Sequence, residues 1–333
     1  MRSGDGAALQ SMRQDSAARS APRITMVTPS LNQGAYLERA MQSVLSQRYP
    51  NLEYLVMDGG STDQSLAIIG RHAHELAHWE HQPDRGVGHA LNKGFARATG
   101  EIFGWLNADD VLLPGALHIV GQIFSDYPAI LWLTSGSLNL SADDRFFVMQ
   151  TSRKWFSPWT QLFRRSLPPQ HCTFWRKALW DRAGGSVIED SRFMDCELWL
   201  RFYEHAPLYV ADTVFGAWRL HPASYSAQRM AAFHRHLDEA QRPYLRRHLQ
   251  RHRRLAPLLP AIRFYFRYLD RDLLNRVGFE LWRRRTRFLT FDLPTDRFRL
   301  RPGGGLLPRP WTFTIASGDG RAAHEERVGL VEK

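Results

Sequence analysis

Short β-branched segments alternate with amphipathic segments over the first third of the chain. Three segments have the composition of strands, namely Arg23–Thr28, Leu52–Met57 and Glu101–Leu106. The segments between them repeat apolar residues at the spacing of one helix face, namely 35–47, 63–76 and 90–98. Neighbouring parallel strands need a long connection, which is usually a helix. The order therefore predicts an α/β fold, with a mostly parallel sheet that has helices on both faces.

Each of these predicted strands is followed by a cluster of polar residues. The clusters are Thr28–Asn32, Asp58–Asp63 and Asn107–Asp110. Gly, Asn, Asp and Ser also dominate ordinary turns, so one such cluster alone indicates only a turn. Three clusters at the same ends of parallel strands would meet at the edge where open α/β sheets bind ligands. The order therefore predicts a binding site at the carboxyl edge of the sheet.

The positive charge of the chain is confined to its last third. The whole chain has 44 Lys and Arg against 33 Asp and Glu, a net charge of +11. Residues 226–333 hold 23 basic and 11 acidic residues, which leaves 21 against 22 for residues 1–225. Hydrophobic residues make up 44% of the 333 residues, which excludes a disordered or fibrous chain. No apolar run approaches the roughly 20 residues needed to cross a bilayer.

We expect three regions along the chain. Residues 1–22 are a polar, flexible lead-in, 23–228 a globular α/β domain, and 229–333 an Arg-rich helical extension with a mobile end. The two cysteines, Cys172 and Cys196, are too few for a disulfide framework or a four-cysteine zinc site. The lead-in has no apolar core of a signal peptide. These features predict a cytoplasmic protein with reduced thiols.

Acidic residues stand at three places where chemistry is plausible. Asp109 and Asp110 repel each other unless a cation neutralises them, and a divalent metal that holds a diphosphate would do so. A helix cap by Asp110 near Pro114 is the alternative. Asp58 could accept a hydrogen bond from a base or a ribose, or could form a turn with its glycines. Asp195, at the start of a predicted helix, suits a helix cap and equally a general base.

Five segments in order resemble the family 2 glycosyltransferases of the GT-A fold. They are 28–63 with MDGGSTD, 82–110 with WLNADD, 170–185, 193–202 with FMDCELW, and 218–226 with WRLHP. The likeness covers about 200 residues and is closest in character to bacterial transferases that build surface polysaccharides. It implies an inverting transfer from a UDP-, GDP- or dTDP-sugar to a hydroxyl of a glycan or lipid-linked acceptor.

The resemblance also implies roles for individual residues. The nucleotide-sugar pocket would be lined by Thr28, Pro29, Ser30, Asn32, Asp58, Asp84, Lys93, Asn107 and Ala108. A divalent metal, Mg²⁺ or Mn²⁺, would be held by Asp109 and His221, and Asp195 would be the catalytic base. Gln170, His171 and Glu197 would lie on the acceptor side.

The chain departs from the family pattern at two positions. Asn107 replaces the first aspartate of the Asp-x-Asp metal motif, which keeps an oxygen ligand but loses a charge. Met194 stands before Asp195, where many relatives have a glutamate. We therefore expect Asp109 to be the direct metal ligand, and Asp195, in preference to Glu197, to be the base.

The basic third leaves several interpretations open. Arg alternates with aromatic residues at 263–268 and 282–287, which suits a helical face packed on the domain. It equally suits peripheral contact with the anionic inner face of a membrane. Nucleic-acid binding would explain the tail but not the aspartates, so we expect no nucleic-acid partner. A nucleotidyltransferase that makes sugar nucleotides, and an inactive relative that only binds them, are the enzymatic alternatives.

Overall fold

A computed structural model describes residues 21–150, 161, 167–189, 193–222, 224, 241–247, 250, 257, 287–292 and 297–301. Its strands are β1 (Ile24–Ser30), β2 (Leu52–Asp58), β3 (His78–His81), β4 (Ile102–Trp105), β5 (Val111–Leu112), β6 (Trp132–Ser141), β7 (Phe146–Gln150), β8 (Phe174–Arg176), β9 (Tyr209–Leu220), β10 (Arg287–Asp292) and β11 (Arg297–Arg301). Its helices are α1 (Leu37–Leu45), α2 (Ser65–His72), α3 (Val87–Arg97), α4 (Ala116–Asp126), α5 (Lys177–Arg182) and α6 (Met194–His205), and short 3₁₀ helices lie at Ala73–Glu75 and Gln170–Cys172.

The described strands form one sheet, in the order β11-β10-β9-β6-β8-β4-β1-β2-β3, with β5 beside β9 and β7 beside β6. β1 is parallel to β2 and β4, and β2 is parallel to β3. β8 is antiparallel to both β4 and β6, while β9 is parallel to β6 and β10. The predicted α/β fold with parallel strands at its centre is confirmed, but the sequence pattern did not reveal that β8 runs antiparallel to its neighbours.

Helices cover both faces of the sheet, as predicted. Alternate side chains of β1 and β2, such as Met26 and Val56, pack against α1, α2 and α4. The other alternate set, such as Val27 and Met57, packs against α3 on the opposite face. Because side chains alternate across a strand, a strand buried on both faces is mostly apolar, as β1 and β2 are at residues 26–27 and 54–57.

A group of tryptophans holds α6 against the sheet. The Trp199 ring of α6 stacks on Trp105 at the end of β4 and on Trp132 of β6, with ring centroids 6.0 and 5.7 Å apart. Trp175 contacts Trp199 edge-on at 5.6 Å. Aromatic pairs of this kind add about 0.5–1.5 kcal/mol each beyond the apolar area that they bury. The first turn of α6 is therefore fixed near the carboxyl end of β4.

The register aligns the carboxyl ends of three neighbouring strands. Ser30 pairs with Asp58 between β1 and β2, and Asp58 pairs with His81 between β2 and β3. On the other side of β1, Val27 pairs with Trp105, the last residue of β4. The polar clusters that follow β1, β2 and β4 therefore share one edge of the sheet, as the sequence predicted.

Several elements differ from their predicted form. The composition of Leu208–Val210 and Thr213–Leu220 predicts two strands, but they form one strand, β9. The composition of His171–Arg176 predicts a strand near the sheet edge, but the strand begins only at Phe174, after a 3₁₀ helix, and lies inside the sheet between β6 and β4. Within the predicted helical extension, 241–247 is helical but β10 and β11 are strands, and β10 pairs in parallel with β9. The lead-in up to residue 20 and most of the Arg- and aromatic-rich stretch lie outside the described residues.

None of the described helices combines the length and apolar character needed to cross a bilayer.

Both cysteines are reduced and buried, as expected from their number, and burial raises the pKa of the Cys172 thiol to about 12. They therefore behave as small apolar residues of the core.

A buried carboxylate joins three segments at the amino edge of the sheet. Glu53 of β2 accepts hydrogen bonds from the Thr25 hydroxyl of β1, from the Thr99 amide at 2.7 Å and from the Gly100 amide at 3.2 Å, and it pairs with Arg23 at 3.1 Å. Burial alone would raise the pKa of Glu53, but these hydrogen bonds and the Arg23 charge hold it below its usual value. The contacts lie at the end of the sheet opposite the polar clusters.

We predict that Glu53→Gln lowers the free energy of unfolding at pH 7 by about 1–3 kcal/mol, because a buried amide N–H₂ would face existing donors. A lowered pKa stabilises the fold above the unfolded value of about 4.3, and that stability is lost as the pH falls through the folded pKa. Urea denaturation at pH 7 and at acid pH should show the difference shrinking in acid. The control Glu75→Gln, at an exposed site that contacts only His72, should stay within about 0.5 kcal/mol. An equal loss in both variants would contradict the prediction.

Candidate active site

The loop after β4 holds two adjacent aspartates in different surroundings. Asp110 is buried, and its oxygens accept hydrogen bonds from the Arg219 amide at 2.9 Å and from Asn107 Nδ2 at 3.3 Å. Burial, followed by the neighbouring charge of Asp109, raises the pKa of Asp110 well above its ordinary value. Asp109 is partly exposed. Asp110 therefore ties this loop to β9 and does not cap α4, whose N-cap has no side-chain hydrogen bond, and Asp109 is the accessible carboxylate.

Arg219 of β9 holds this loop from the buried side. Its Nε donates to the Asp109 carbonyl at 2.7 Å, Nη1 donates to the Ser141 carbonyl at 3.0 Å, and Nη2 pairs with Asp144 at 2.7 Å. Its guanidinium lies over the Tyr36 ring, 4.9 Å from the centroid, and the side chain is 1% exposed. A planar group with five donors can satisfy several acceptors at once, which explains an arginine at this buried position.

His221 lies beside Asp109, at the carboxyl end of β9. Its Nε2 is 3.1 Å from Asp109 Oδ2, and its ring packs against Tyr36 with centroids 4.5 Å apart. The side chain is almost fully buried, and its Nδ1 has no hydrogen-bond partner among the described atoms. The structure thus brings together the two residues that the family resemblance suggested as metal ligands.

The residues present fit a divalent metal that is also bound by a diphosphate. A carboxylate oxygen and an imidazole nitrogen already lie 3.1 Å apart, and the buried Nδ1 without a partner leaves the ring free to re-orient. Among the described residues, no three His, Cys, Asp or Glu side chains converge as a complete metal cluster. Ions of this type often take one or two protein ligands and complete their shell with phosphates and water.

The loop after β2 is organised around Asp58. Its Oδ2 accepts hydrogen bonds from the Gly60 amide at 3.2 Å and the Ser61 amide at 2.9 Å, and its Oδ1 accepts one from the Ser61 hydroxyl at 2.5 Å. His81 Nδ1 is 2.6 Å from Oδ2. Gly60 has a φ of +88°, which side-chain-bearing residues rarely adopt. Asp58 therefore determines the shape of this loop, and the sequence placed it correctly at the strand end.

The residues after β1 line the same edge with mixed exposure. The Thr28 hydroxyl lies inside the sheet layer, 2.9 Å from the Tyr54 hydroxyl, and Pro29 is also buried. Ser30 is buried and its hydroxyl has no partner among the described atoms. Asn32 is exposed, and its side-chain oxygen accepts the Thr62 amide at 2.9 Å. Of this set, Asn32 is exposed at the edge, while the Ser30 hydroxyl is buried at the end of β1.

Asp84 precedes α3 in the chain, and Lys93 lies within this helix. A Cβ on Gly59 would come within 2.7 Å of Asp84 Oδ2, so glycine permits the close approach of the Asp84 carboxylate to the loop after β2. Lys93 forms an ion pair with Glu80 of β3, and the hydrogen bond from Lys93 is the main cause that lowers the pKa of Glu80. The structure therefore joins Asp84 to the strand-end loops and engages Lys93 with β3.

Asp195 lies in the first turn of α6. Its Oδ1 accepts the Cys196 amide at 2.8 Å, and burial raises the pKa of its carboxyl. Trp199, four residues later on the same helix face, stacks on Trp105, so this turn lies near the end of β4. Glu197 is buried on a different face of α6. The helix therefore presents Asp195, and not Glu197, toward the strand ends.

The two acceptor-side candidates on the 3₁₀ helix occupy different environments. Gln170 Nε2 donates to the Trp105 carbonyl at 2.6 Å, beside the loop that bears Asp109. His171 is buried, with Nε2 2.6 Å from the Ser137 hydroxyl, and burial lowers the pKa of its imidazole to about 3. Ala108 is also buried, and its side chain packs in the core. The geometry thus keeps Gln170 at the edge and gives His171 a structural role inside the sheet.

Three residues of the site were missed in the sequence. Arg219 could have been found because it precedes His221 by two positions and so lies on the same strand face. His81 ends a strand that is too short and polar to be predicted, so no sequence signal pointed to it. Tyr36, which contacts both Arg219 and His221, lies in the turn before α1 and had no distinguishing pattern.

We predict that Arg219→Met lowers the free energy of unfolding by about 2–4 kcal/mol, because it leaves buried carbonyls without donors and removes the cation nearest Asp110. Urea denaturation measures the loss. The control Arg145→Met removes an exposed ion pair with Asp143 on the neighbouring β6–β7 turn and should change stability by less than about 1 kcal/mol. Equal effects of the two substitutions would show that Arg219 does not support the loop.

Comparison with known proteins agrees with this geometry. Residues 25–177 match glycosyl transferase family 2. The "Uncharacterized glycosyltransferase" of Nostoc sp. is 31% identical over 155 residues, which cover 41% of this chain and 48% of that protein. The chondroitin synthase of Escherichia coli is 23% identical over 188 residues, covering 56% of this chain and 27% of that protein. The chain thus spans less than half the length of these relatives.

Two solved structures share the fold. S. aureus TarS 1-349 in complex with UDP-GlcNAc has a TM-score of 0.52 at 17% identity, over 68% of this chain and 73% of that chain. The mannosyltransferase PcManGT from Pyrobaculum calidifontis, in complex with GDP-Man and Mn²⁺, has a TM-score of 0.50 at 20% identity, over 77% and 76%. The family match, the named relatives and this common GT-A fold agree, and residues 25–177 therefore match a glycosyl transferase family 2 domain.

Proposed function

We propose that this chain is an inverting glycosyltransferase, which moves a sugar from a nucleotide-sugar donor to a hydroxyl of a glycan or lipid-linked acceptor. The observation that carries the proposal is the contact between Asp109 and His221 at an edge near which α6 also places the partly buried carboxyl of Asp195. A carboxylate–imidazole pair suits the diphosphate side of such a reaction, and a second, separate carboxylate suits the acceptor side.

The proposed reaction is a single displacement at the anomeric carbon. Asp195 removes the proton of the acceptor hydroxyl as the oxygen attacks, and the bond from the sugar to the nucleoside diphosphate breaks on the opposite face. This geometry inverts the anomeric configuration. A bound divalent cation would supply positive charge to the leaving diphosphate, with Asp109 and His221 as its protein ligands. Asp110 and Arg219 keep the Asp109 loop in place through contacts on the buried side.

The donor side is proposed along the strand ends. Ser30, Asn32, Asp58 and Asp84 hold the nucleoside, and Asn107 lies beside the diphosphate. Support comes from the fold neighbours, which were solved in complex with UDP-GlcNAc, with UDP and with GDP-Man. A UDP-, GDP- or dTDP-sugar is accordingly the donor class that we propose.

We propose the acceptor and the cellular role from the relatives and from the positive charge of residues 226–333. The similarity to chondroitin synthase supports a role in bacterial polysaccharide synthesis. The basic residues of 226–333 would hold the enzyme at the anionic cytoplasmic face of the membrane, where lipid-linked acceptors are available. Gln170, beside the Asp109 loop, is the residue that we propose on the acceptor side.

We predict that Asp195→Asn lowers kcat by about 10²–10⁴-fold, the usual contribution of a general base, while the donor Kd changes less than about threefold. Radiolabelled sugar transfer and calorimetric donor binding measure the two effects. Asp181→Asn, an exposed aspartate paired with Lys177, is the control and should keep full activity. Full activity of Asp195→Asn would exclude Asp195 as the base.

The proposed base predicts the direction in which kcat/KM changes with pH. A base works when deprotonated, and burial raises the pKa of Asp195. We expect kcat/KM to fall in acid with an apparent pKa above the value of about 3.9 for an exposed aspartate. This acid limb should disappear from the residual activity of Asp195→Asn. A profile that is unchanged in the variant would assign the limb to another group.

We predict that Asp109→Ala weakens Mn²⁺-dependent binding of a nucleoside diphosphate by at least about tenfold, since even an outer partner of a metal ligand is worth roughly 10–100-fold. Titration calorimetry with UDP or GDP, with and without Mn²⁺, measures the effect. Asp143→Ala, an exposed aspartate on the β6–β7 turn, should bind as the unaltered protein does. Equal nucleotide binding with and without Mn²⁺ in the unaltered protein would contradict the metal's role.

A further inference from the structure

We propose that Tyr36 is a positioning residue, whose ring holds the imidazole of His221 against Asp109. The inference rests on the proposed function, in which Asp109 and His221 hold a divalent cation, and it specifies how this chain keeps that pair in place. It starts from two observations: one nitrogen of His221 lacks a hydrogen bond among the described atoms, and Tyr36 contacts both His221 and Arg219.

Hydrogen bonds alone do not fix the orientation of the His221 ring. Its Nε2 lies 3.1 Å from Asp109 Oδ2, whereas its buried Nδ1 has no hydrogen-bond partner among the described atoms. A histidine that binds a metal usually donates its second ring N–H to a carboxylate or a carbonyl, which sets the orientation of the ring. The last torsion of a histidine side chain is otherwise broad. In His221, packing must therefore do what this second hydrogen bond usually does.

The ring of Tyr36 provides this packing. Its centroid lies 4.5 Å from that of His221, and the two planes are tilted by 45°. Aromatic pairs in proteins have centroids about 4.5–7 Å apart, so this is a close contact. The side chain of His221 is 2% exposed, so its ring cannot turn far unless Tyr36 moves. Tyr36 therefore limits the angles at which His221 can face Asp109.

Tyr36 is itself held in place by Arg219. The guanidinium lies 4.9 Å from the centroid of the Tyr36 ring, within the roughly 6 Å of a cation–π contact. Arg219 is in turn held by the Asp109 carbonyl and by Asp144, at 2.7 Å each. The contacts thus form a closed circuit, which runs from the Asp109 carboxylate through His221, Tyr36 and Arg219 back to the Asp109 carbonyl.

The backbone of Tyr36 is fixed at the start of α1. The Tyr36 and Leu37 amides both donate to the Gln33 carbonyl, at 2.9 and 2.8 Å, and the Tyr36 carbonyl accepts the Ala40 amide at 3.1 Å. Leu37 and Ala40 are buried in the core of the sheet. The ring therefore projects from a rigid support, which is what a positioning residue requires.

A role in stability alone predicts a different result from a positioning role. Both contacts of Tyr36 use its aromatic ring and not its hydroxyl, so phenylalanine keeps them, whereas leucine supplies apolar bulk without a ring. A misplaced His221 weakens nucleotide binding only when the cation takes part. General destabilisation does not depend on Mn²⁺.

Titration calorimetry of UDP and GDP, each with Mn²⁺ and with EDTA, tests the proposal. For the nucleotide that binds, we expect Tyr36→Leu to reduce the gain in affinity from Mn²⁺ by about tenfold, since residues that orient metal ligands are worth roughly 10–100-fold. Its Kd in EDTA should change less than about threefold. Tyr36→Phe should keep the gain within about threefold. Tyr127→Leu, at a partly buried tyrosine that follows α4, is the matched control and should keep the full gain.

A double-mutant cycle tests whether Tyr36 acts through His221. His221→Gln should itself reduce the gain from Mn²⁺, and Tyr36→Leu added to it should reduce the gain by less than about a further threefold. A further tenfold loss would overturn the route through His221. If Tyr36→Leu does not fold, Tyr36→Met supplies a second side chain without a ring. Loss of the fold in both would show a general core role and overturn the positioning role.

The outcomes separate this inference from the function on which it rests. An unchanged gain from Mn²⁺ in Tyr36→Leu, or an equal loss of affinity in EDTA and in Mn²⁺, overturns the role of Tyr36 and leaves the glycosyltransferase proposal intact. Absence of any gain from Mn²⁺ in the unaltered protein would reject the proposed metal site, and this inference with it.

Discussion

The parallel register of β1 with β2 and β4 is the constraint on which the rest of the structure depends. Because the three strands run in one direction, every loop that follows them emerges at the same edge, and every loop that precedes them emerges at the other. The stabilising contacts and the residues of the candidate site therefore lie at opposite edges of the sheet. The Glu53 network joins the amino edge, while Asp58, Asp109 and His81 belong to the carboxyl edge.

Four acidic side chains of this protein behave differently because their surroundings differ. Glu53 is stabilised as a carboxylate by several hydrogen bonds and a cation, whereas burial and a neighbouring charge raise the pKa of Asp110. Asp58 accepts hydrogen bonds from its own loop and lies beside His81, and Asp195, partly buried at a helix start, accepts the Cys196 amide at 2.8 Å. Hydrogen-bond supply, more than burial itself, separates these environments.

The tryptophan group connects the core to the candidate base. Trp105 ends β4, Trp199 belongs to α6, and their stacking fixes where the first turn of α6 lies. A packed aromatic contact tolerates little displacement, since protein interiors are close to crystalline density. The position of Asp195 relative to the Asp109 loop is therefore a property of the core and not of a flexible loop.

Hydrophobic period was sufficient to predict the first three helices and the strands β1, β2 and β4, because local spacing decides amphipathic character. It failed for β3, which is short and polar at the sheet edge. It also failed for β6, which pairs with β8, an antiparallel strand that lies far along the chain. The same limit applied to the site. Asp109, His221 and Asp195 were identified from strand ends and family resemblance, while His171 was expected near the acceptor and is buried beside Ser137.

The sequence by itself determined the α/β order of elements, the likeness of residues 25–177 to a known family, and the edge at which polar residues collect. These follow from side-chain spacing and from short motifs, both of which are local. Only the tertiary structure decided which atoms of those residues remain available. Asp58 is engaged because His81, 23 residues away, reaches it through the β2–β3 register, and Asp110 is engaged because Arg219 approaches from β9. These contacts join distant segments of the chain, which no local pattern encodes.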